Sequence, residues 1–241
     1  MSSLDIETSQ NVNGAVYRGE MTDLGAMLWG PAPSWLPSLW STGKRKRVMP
    51  KDVLYREGEQ GDMVYFVRSG LIKLLSYLPN GRARIVRLHT RDHWIGLDGL
   101  LGKSYEHTAI AIDDVEVRQI PIQGLERLRE EVPSVHSHLL RQWHSDLAQA
   151  DKWISDFSTG GIKSRVARLL QYLAELEYGP DADRVKLLTV HEMAEILGVT
   201  QESVSRILAS FKRGNILRKQ ANPAREIYQL DALKLQHEAR K

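Results

Sequence analysis

The chain contains no cysteine. Disulfides, thiol redox switches, thiolate zinc sites and cysteine-held iron–sulfur clusters are therefore excluded. No apolar run is long enough to span a bilayer. The opening residues, MSSLDIETSQNVNG, lack the basic-then-apolar order of a secretory leader, so a cytoplasmic location with no membrane partner is expected. Neither sign of charge dominates. The 33 Lys+Arg against 30 Asp+Glu leave +3, too weak a field to prescribe a polyanionic partner alone. Signatures of catalysis are missing too, with no Walker loop, G-x-S-x-G elbow or G-x-G-x-x-G turn. His191-Glu192 starts like the zinc motif H-E-x-x-H, but its fifth residue is Glu195, so the second imidazole is absent. An enzyme is not expected.

What is present is ordinary globular material: 42% hydrophobic and 26% charged residues over 241 positions, enough for about two domains. Residues 1–22 are polar and aperiodic, and a flexible tail is expected there. Met27 to Trp40, MLWGPAPSWLPSLW, holds three tryptophans and three prolines, which suit short helical turns pinning aromatics onto the next domain. From Lys44 to Ile122 short β-rich runs alternate with turn signals. These runs are Val53–Tyr55, Met63–Val67, Leu71–Leu78, Ala83–His89, Trp94–Ile95, Thr108–Ile112 and Val115–Ile120. Pro79-Asn80-Gly81 supplies a hairpin turn, because Asn and Gly accept positive φ. Many short strands so closely spaced predict a jelly-roll β-barrel.

Gln123–Arg129 reads as a short helix, and Pro133 opens a longer one. In it Leu140, Trp143, Leu147, Ala150, Ile154 and Phe157 recur in steps of three and four, the pattern of an a/d seam between two helices. Leu139 and Trp153 widen that stripe toward the helix's own barrel. His136, His138 and His144 on the same helix are expected in solvent. Gly160-Gly161 marks a hinge. Ile162–Tyr178 is amphipathic and Val185–Leu187 is a strand candidate.

The stretch TVHEMAEILGVTQESVSRILASF, Thr189 to Phe211, carries the most information. Met193, Ile196 and Leu197 share a helical face until Gly198 breaks the pattern. Thr200 then caps a second helix that turns Val204, Ile207 and Leu208 inward. Two short helices around a glycine turn form a helix-turn-helix. Gln201, Glu202, Ser205 and Arg206 remain outward near the second helix's N-terminus, and such side chains hydrogen-bond to base edges. Lys212, Arg213, Arg218, Lys219 and Arg225 follow, placing the basic excess beside the motif. Ile216–Arg218 and Ile227–Leu230, around Asn222-Pro223, can pair as a wing. The expected class is α+β, with a barrel sensor domain over 23–130, a dimerisation helix over 131–159 and a winged helix-turn-helix over 160–241. Thr189, Thr200, Lys212 and Arg213 join the four outward residues as candidate DNA contacts.

That order of parts resembles the Crp/Fnr family of bacterial transcription regulators over about residues 27 to 235. The markers are GEQGD (58–62), VYFVRSGLIKL (64–74), SRVARLL (164–170) and VTQESVSRIL (199–208). Glu202, Ser205 and Arg206 match the Fnr branch, which implies a palindromic TTGAT-type operator. Gln201 stands where Crp-like members carry Arg. The resemblance further implies a homodimer on double-stranded DNA, with RNA polymerase as partner, often as an activator. Cyclic-nucleotide-binding members show Gly-Glu-Leu and, about ten residues on, Arg-Ser or Arg-Thr. Here Gly96, Leu97 and Asp98, then His107 and Thr108, take those places, and Ala150 and Asp151 stand where the adenine would be met. A displaced acid and an imidazole in place of Arg argue against cAMP. The effector is unassigned. A haem on His89, His93 or His107, or a cyclic nucleotide, is the alternative to a different small molecule or none.

Overall fold

The computed structural model describes residues 43–220 and 227–241. The expected tail, the tryptophan-rich segment and the Asn222-Pro223 turn lie outside them. Eight strands come first: β1 (Lys44–Val48), β2 (Val53–Tyr55), β3 (Met63–Ser69), β4 (Ile72–Tyr77), β5 (Ala83–His89), β6 (Trp94–Ile95), β7 (Thr108–Ala111) and β8 (Val115–Pro121). They form two four-stranded sheets, ordered β1-β8-β3-β6 and β2-β7-β4-β5. This is a jelly roll whose sheets face each other without closing into one continuous barrel. A 3₁₀ turn, Leu97–Leu101, follows β6.

Alternation sorts the side chains. Tyr65 and Val67 of β3 point between the sheets, joining Tyr55, Ile72, Leu74 and Tyr105 in the barrel core. Val64 and Phe66 point outward and are covered by helices α1 (Ile122–Glu131) and the start of α2 (Pro133–Ser158). β1 is not among the strand candidates, because KRKRV offers no apolar alternation. Its edge position explains the composition: Arg45 pairs with Glu116 of β8 and Arg47 with Asp114 just before that strand, and charge on an edge strand discourages pairing with another chain.

The hairpin at Pro79-Asn80-Gly81 forms, with Gly81 at φ 77°. Further along, β4 and β5 slip by one residue between Leu74 and Leu75. Leu75, Ile85 and Leu88 consequently face away from the barrel and enter one apolar core with the C-terminal elements. Those elements are α3 (Ile162–Tyr178), β9 (Arg184–Lys186), α4 (Val190–Leu197), α5 (Gln201–Arg213), β10 (Leu217–Lys219), β11 (Ile227–Leu230) and α6 (Ala232–Ala239). β10 and β11 pair antiparallel as the wing, and β9 completes the three-stranded order β10-β11-β9.

Candidate nucleic-acid interface

Helix α4 begins with a full capping box. The Thr189 hydroxyl accepts from the Glu192 N–H, and the Glu192 carboxylate accepts from the Thr189 N–H. That reciprocal pair satisfies two donors the helix cannot bond internally. Gly198 ends the helix at φ 63°, a left-handed geometry that glycine adopts without strain. Two residues later the Thr200 hydroxyl accepts from Ser203 N–H and starts α5. Val204, Leu208 and Phe211 of α5 are buried, whereas Gln201, Glu202, Ser205 and Arg206 are exposed on the opposite side. Hydrogen bonds from its own backbone N–H and from the Thr200 hydroxyl hold the Glu202 carboxyl below the usual range. It is thus an ionised acceptor beside the Arg206 donor. Lys212, at the helix's far end, donates to the Tyr228 hydroxyl at 3.1 Å and lies over that ring, while Arg213 is exposed.

The motif is tied to the rest of the molecule by side chains that sequence inspection does not single out for this role. Arg165 donates to the Phe157 carbonyl at 2.6 Å and to the Leu197 carbonyl, joining the end of α2 to the turn of the helix-turn-helix. Arg84 of β5 reaches across from the barrel to the Ile196 carbonyl at 3.2 Å. A Cβ built on Gly198 would stand 1.5 Å from an Arg84 guanidinium nitrogen, so the turn glycine also makes room for that arginine. Lys73 of β4 pairs with Glu192, and Lys186 of β9 pairs with Asp113 at 2.5 Å.

On α2, Leu140, Trp143, Leu147 and Ile154 are exposed together, and Ala150 is half-buried. Phe157 departs from that set. It is 2% exposed and packs edge-on against Trp153 and Tyr172 of its own chain, where the helix end meets α3. Its ring completes an intramolecular core and is not offered to a second subunit. His138, expected in solvent, is not there. It is buried under α2 against the barrel, and burial followed by the Arg141 charge lowers its pKa to about 4. His136 and His144 are exposed.

Gly96, Leu97 and Thr108 are buried and Asp98 and His107 are half-buried, with Leu97 packed among the outward-facing Val64 and Phe66 and not in the barrel core. Burial, then the neighbouring Glu106, pushes the Asp98 carboxyl up. Burial, then Arg87, pushes the His107 imidazole down despite the acids nearby. A Cβ on Gly96 would touch the Tyr105 ring at 3.1 Å, and Tyr105 stacks on Tyr55 with centroids 4.0 Å apart. Aromatic rings thus fill the space beside that glycine. Ala150 is half-buried on α2. Gln142 and Asp146 are buried there, with Gln142 accepting from the Trp94 N–H at 3.4 Å, whereas Asp151 is exposed. Arg87 is an inward cation that the sequence pattern does not reveal. It pairs across strands with Leu74, a barrel-core residue, and the β4–β5 slip that places it so leaves no mark in the alternation of ARIVRLH. His89 and His93 are buried with rings 5.6 Å apart, and burial followed by His93 holds His89 neutral.

A fold of this kind, with an exposed polar face on the second helix of a winged helix-turn-helix, defines a DNA-binding regulator. A model of the cyclic nucleotide-binding domain matches residues 45–132, and a model of the Crp-like helix-turn-helix domain matches 164–238. The two cover more than half of the sequence. Transcriptional regulator LdrP of Thermus thermophilus is 29% identical over 196 residues, spanning 80% of this chain and 96% of that one. Transcriptional activator protein anr of Pseudomonas aeruginosa is 26% identical over 204 residues, 83% of this chain and 82% of its own. The solved structure of FixK2 from Bradyrhizobium japonicum superposes with a TM-score of 0.70 at 24% identity, covering 81% and 96% of the two chains. The chain belongs to the Crp/Fnr family of transcription regulators and is not an enzyme.

Proposed function

We propose that the protein works in the cytoplasm as a homodimer on a palindromic TTGAT-type operator, regulating transcription through RNA polymerase. Residues 23–130 form its sensor, 131–159 its dimerisation helix and 160–241 its DNA-binding part. The observation that carries this reading is the composition of α5, which buries Val204, Leu208 and Phe211 and leaves Glu202, Ser205 and Arg206 exposed. Arg206 suits guanine O6 and N7, and an ionised Glu202 suits the amino group of the paired cytosine. The exposed apolar residues of α2 supply a two-fold contact that would set two such helices about one DNA turn apart. Titration of duplexes bearing two TTGAT half-sites tests it. A palindrome with the guanine replaced should bind more weakly by on the order of tenfold or more. Equal affinity for both would reject the assignment.

The barrel supports control by something other than cAMP. Asp98 and Glu106 put negative charge beside His107, the residue that stands in the place of the phosphate-binding arginine, and the tyrosine stack crowds Gly96. Calorimetry with cAMP up to the millimolar range should show no binding heat, and micromolar binding would overturn this view.

A further inference from the structure

We infer that His191 is a positioning residue for base readout, fixing which way the Gln201 amide faces DNA. The inference rests on α5 being the base-reading helix.

His191 lies on α4 and Gln201 opens α5, so the glycine turn brings two sequence-distant side chains together. The imidazole Nδ1 is 3.1 Å from the Gln201 amide nitrogen. Its Nε2 is 3.2 Å from Oε1 of Glu195, one helical turn further along α4. The His191 side chain is 62% exposed and that of Glu195 only 14%. The second Glu195 oxygen is buried without a hydrogen-bond partner among the described residues. The imidazole is therefore the group among the described residues that engages this recessed carboxylate.

With the imidazole neutral, the chain of donors and acceptors has a fixed sense. A carboxylate only accepts, so it requires the imidazole hydrogen on Nε2. A neutral imidazole with Nε2–H has a lone pair on Nδ1. Of the two ends of the glutamine amide, only the NH₂ can donate to that lone pair. The Gln201 NH₂ therefore turns toward His191 and its carbonyl oxygen turns away. The outward edge then shows one carbonyl acceptor and the second N–H, the pair that adenine N6 and N7 require. The reverse orientation would set the carbonyl oxygen against the Nδ1 lone pair. An exposed glutamine amide rotates broadly about its last torsion when nothing holds it. The Glu195–His191 pair removes that freedom before DNA arrives, which is preorganisation of a reading group.

Selection from a randomised duplex pool tests the inference whatever the operator sequence, using the full chain as wild type, Gln201→Ala, His191→Leu and His191→Asn. Gln201→Ala and His191→Leu should weaken preference at the same single base pair in each half-site, by roughly five- to tenfold, and leave the Arg206-dependent guanine untouched. His191→Asn should keep most of that preference, because its side-chain oxygen takes the place of Nδ1. Three results would overturn the inference: a His191→Leu motif unchanged from wild type, a loss spread evenly over every position, or a Gln201→Ala motif unchanged from wild type. If the wild type itself selects no motif, base reading by α5 fails, and the inference fails with it. That result is distinct from a normal wild-type motif that survives His191→Leu.

Discussion

Lys73 on the barrel and Glu192 on the first helix of the helix-turn-helix form an ion pair of 2.9 Å, with side chains only 13% and 12% exposed. Glu192 is the same residue whose other oxygen closes the capping box with Thr189. Burial alone would raise its pKa, but the Lys73 and Thr189 hydrogen bonds outweigh that and hold the carboxyl below the ordinary range. One carboxylate thus ties a strand of the β-domain to the start of the helix-turn-helix. Lys73→Met keeps the apolar stem and leaves Glu192 charged without its cation. A loss of about 2–4 kcal/mol is expected in denaturant unfolding, with partial recovery in Lys73→Met/Glu192→Gln. A single variant as stable as wild type would show that the pair contributes nothing.

The seam on α2 makes a prediction about assembly. Leu147 and Ile154 are 63% and 62% exposed, values unusual for large apolar residues in line on one helix. Leu147→Glu would bring two carboxylates into an apolar contact across the two-fold axis and should give monomers. Sedimentation equilibrium reads this directly, and an undiminished dimer would place the interface elsewhere.

For readout, Arg206→Ala should cost on the order of 1–3 kcal/mol per half-site and flatten preference at the guanine alone. Arg213 is exposed at the far end of α5. If it meets a phosphate, Arg213→Ala should weaken all sequences alike and reduce the salt slope by about one. Equal loss by Arg206→Ala on matched and mismatched duplexes would make Arg206 a backbone contact.

His138 gives stability a pH dependence. Its folded pKa, lowered to about 4 from 6.5 by burial and then Arg141, means the unfolded chain binds the extra proton first. Its contribution is complete above pH 6.5 and is lost as pH falls from 6.5 toward 4. The loss should not exceed roughly 3–4 kcal/mol, and solvent screening lowers it further. Denaturation at a series of pH values should show a shallower slope over that window for His138→Leu, and an unaltered slope would assign the acid sensitivity to other groups, His89 among them.

Much of this architecture is legible in the residues because it rests on local chemistry. Thr189, Gly198 and Thr200 announce the two helices through capping and a left-handed turn, and Pro79-Asn80-Gly81 announces the hairpin. The seam on α2 is legible as a period. What periodicity cannot tell is which chain covers each position, and so Phe157 looks like Leu147 until Tyr172 is seen against it. β1 is silent because an edge strand needs no apolar face. Arg87 is hidden by the β4–β5 slip. The long-range pairs Lys73–Glu192 and Arg84–Ile196 join residues more than a hundred positions apart, a separation that no local pattern records.

Gly198 has two employers. Its backbone angle serves the turn, and its bare Cα serves a guanidinium arriving from another part of the molecule. A hybrid regulator joining residues 160–241 to a foreign sensor would keep the turn but lose its visitor, leaving the Ile196 carbonyl without that donor. Conversely, alanine at this position would strain the turn and evict Arg84 at once, so its effects would surface on the barrel as well as on DNA. Interchangeable parts in a protein of this build are therefore bounded by a missing methyl group as much as by any matched surface.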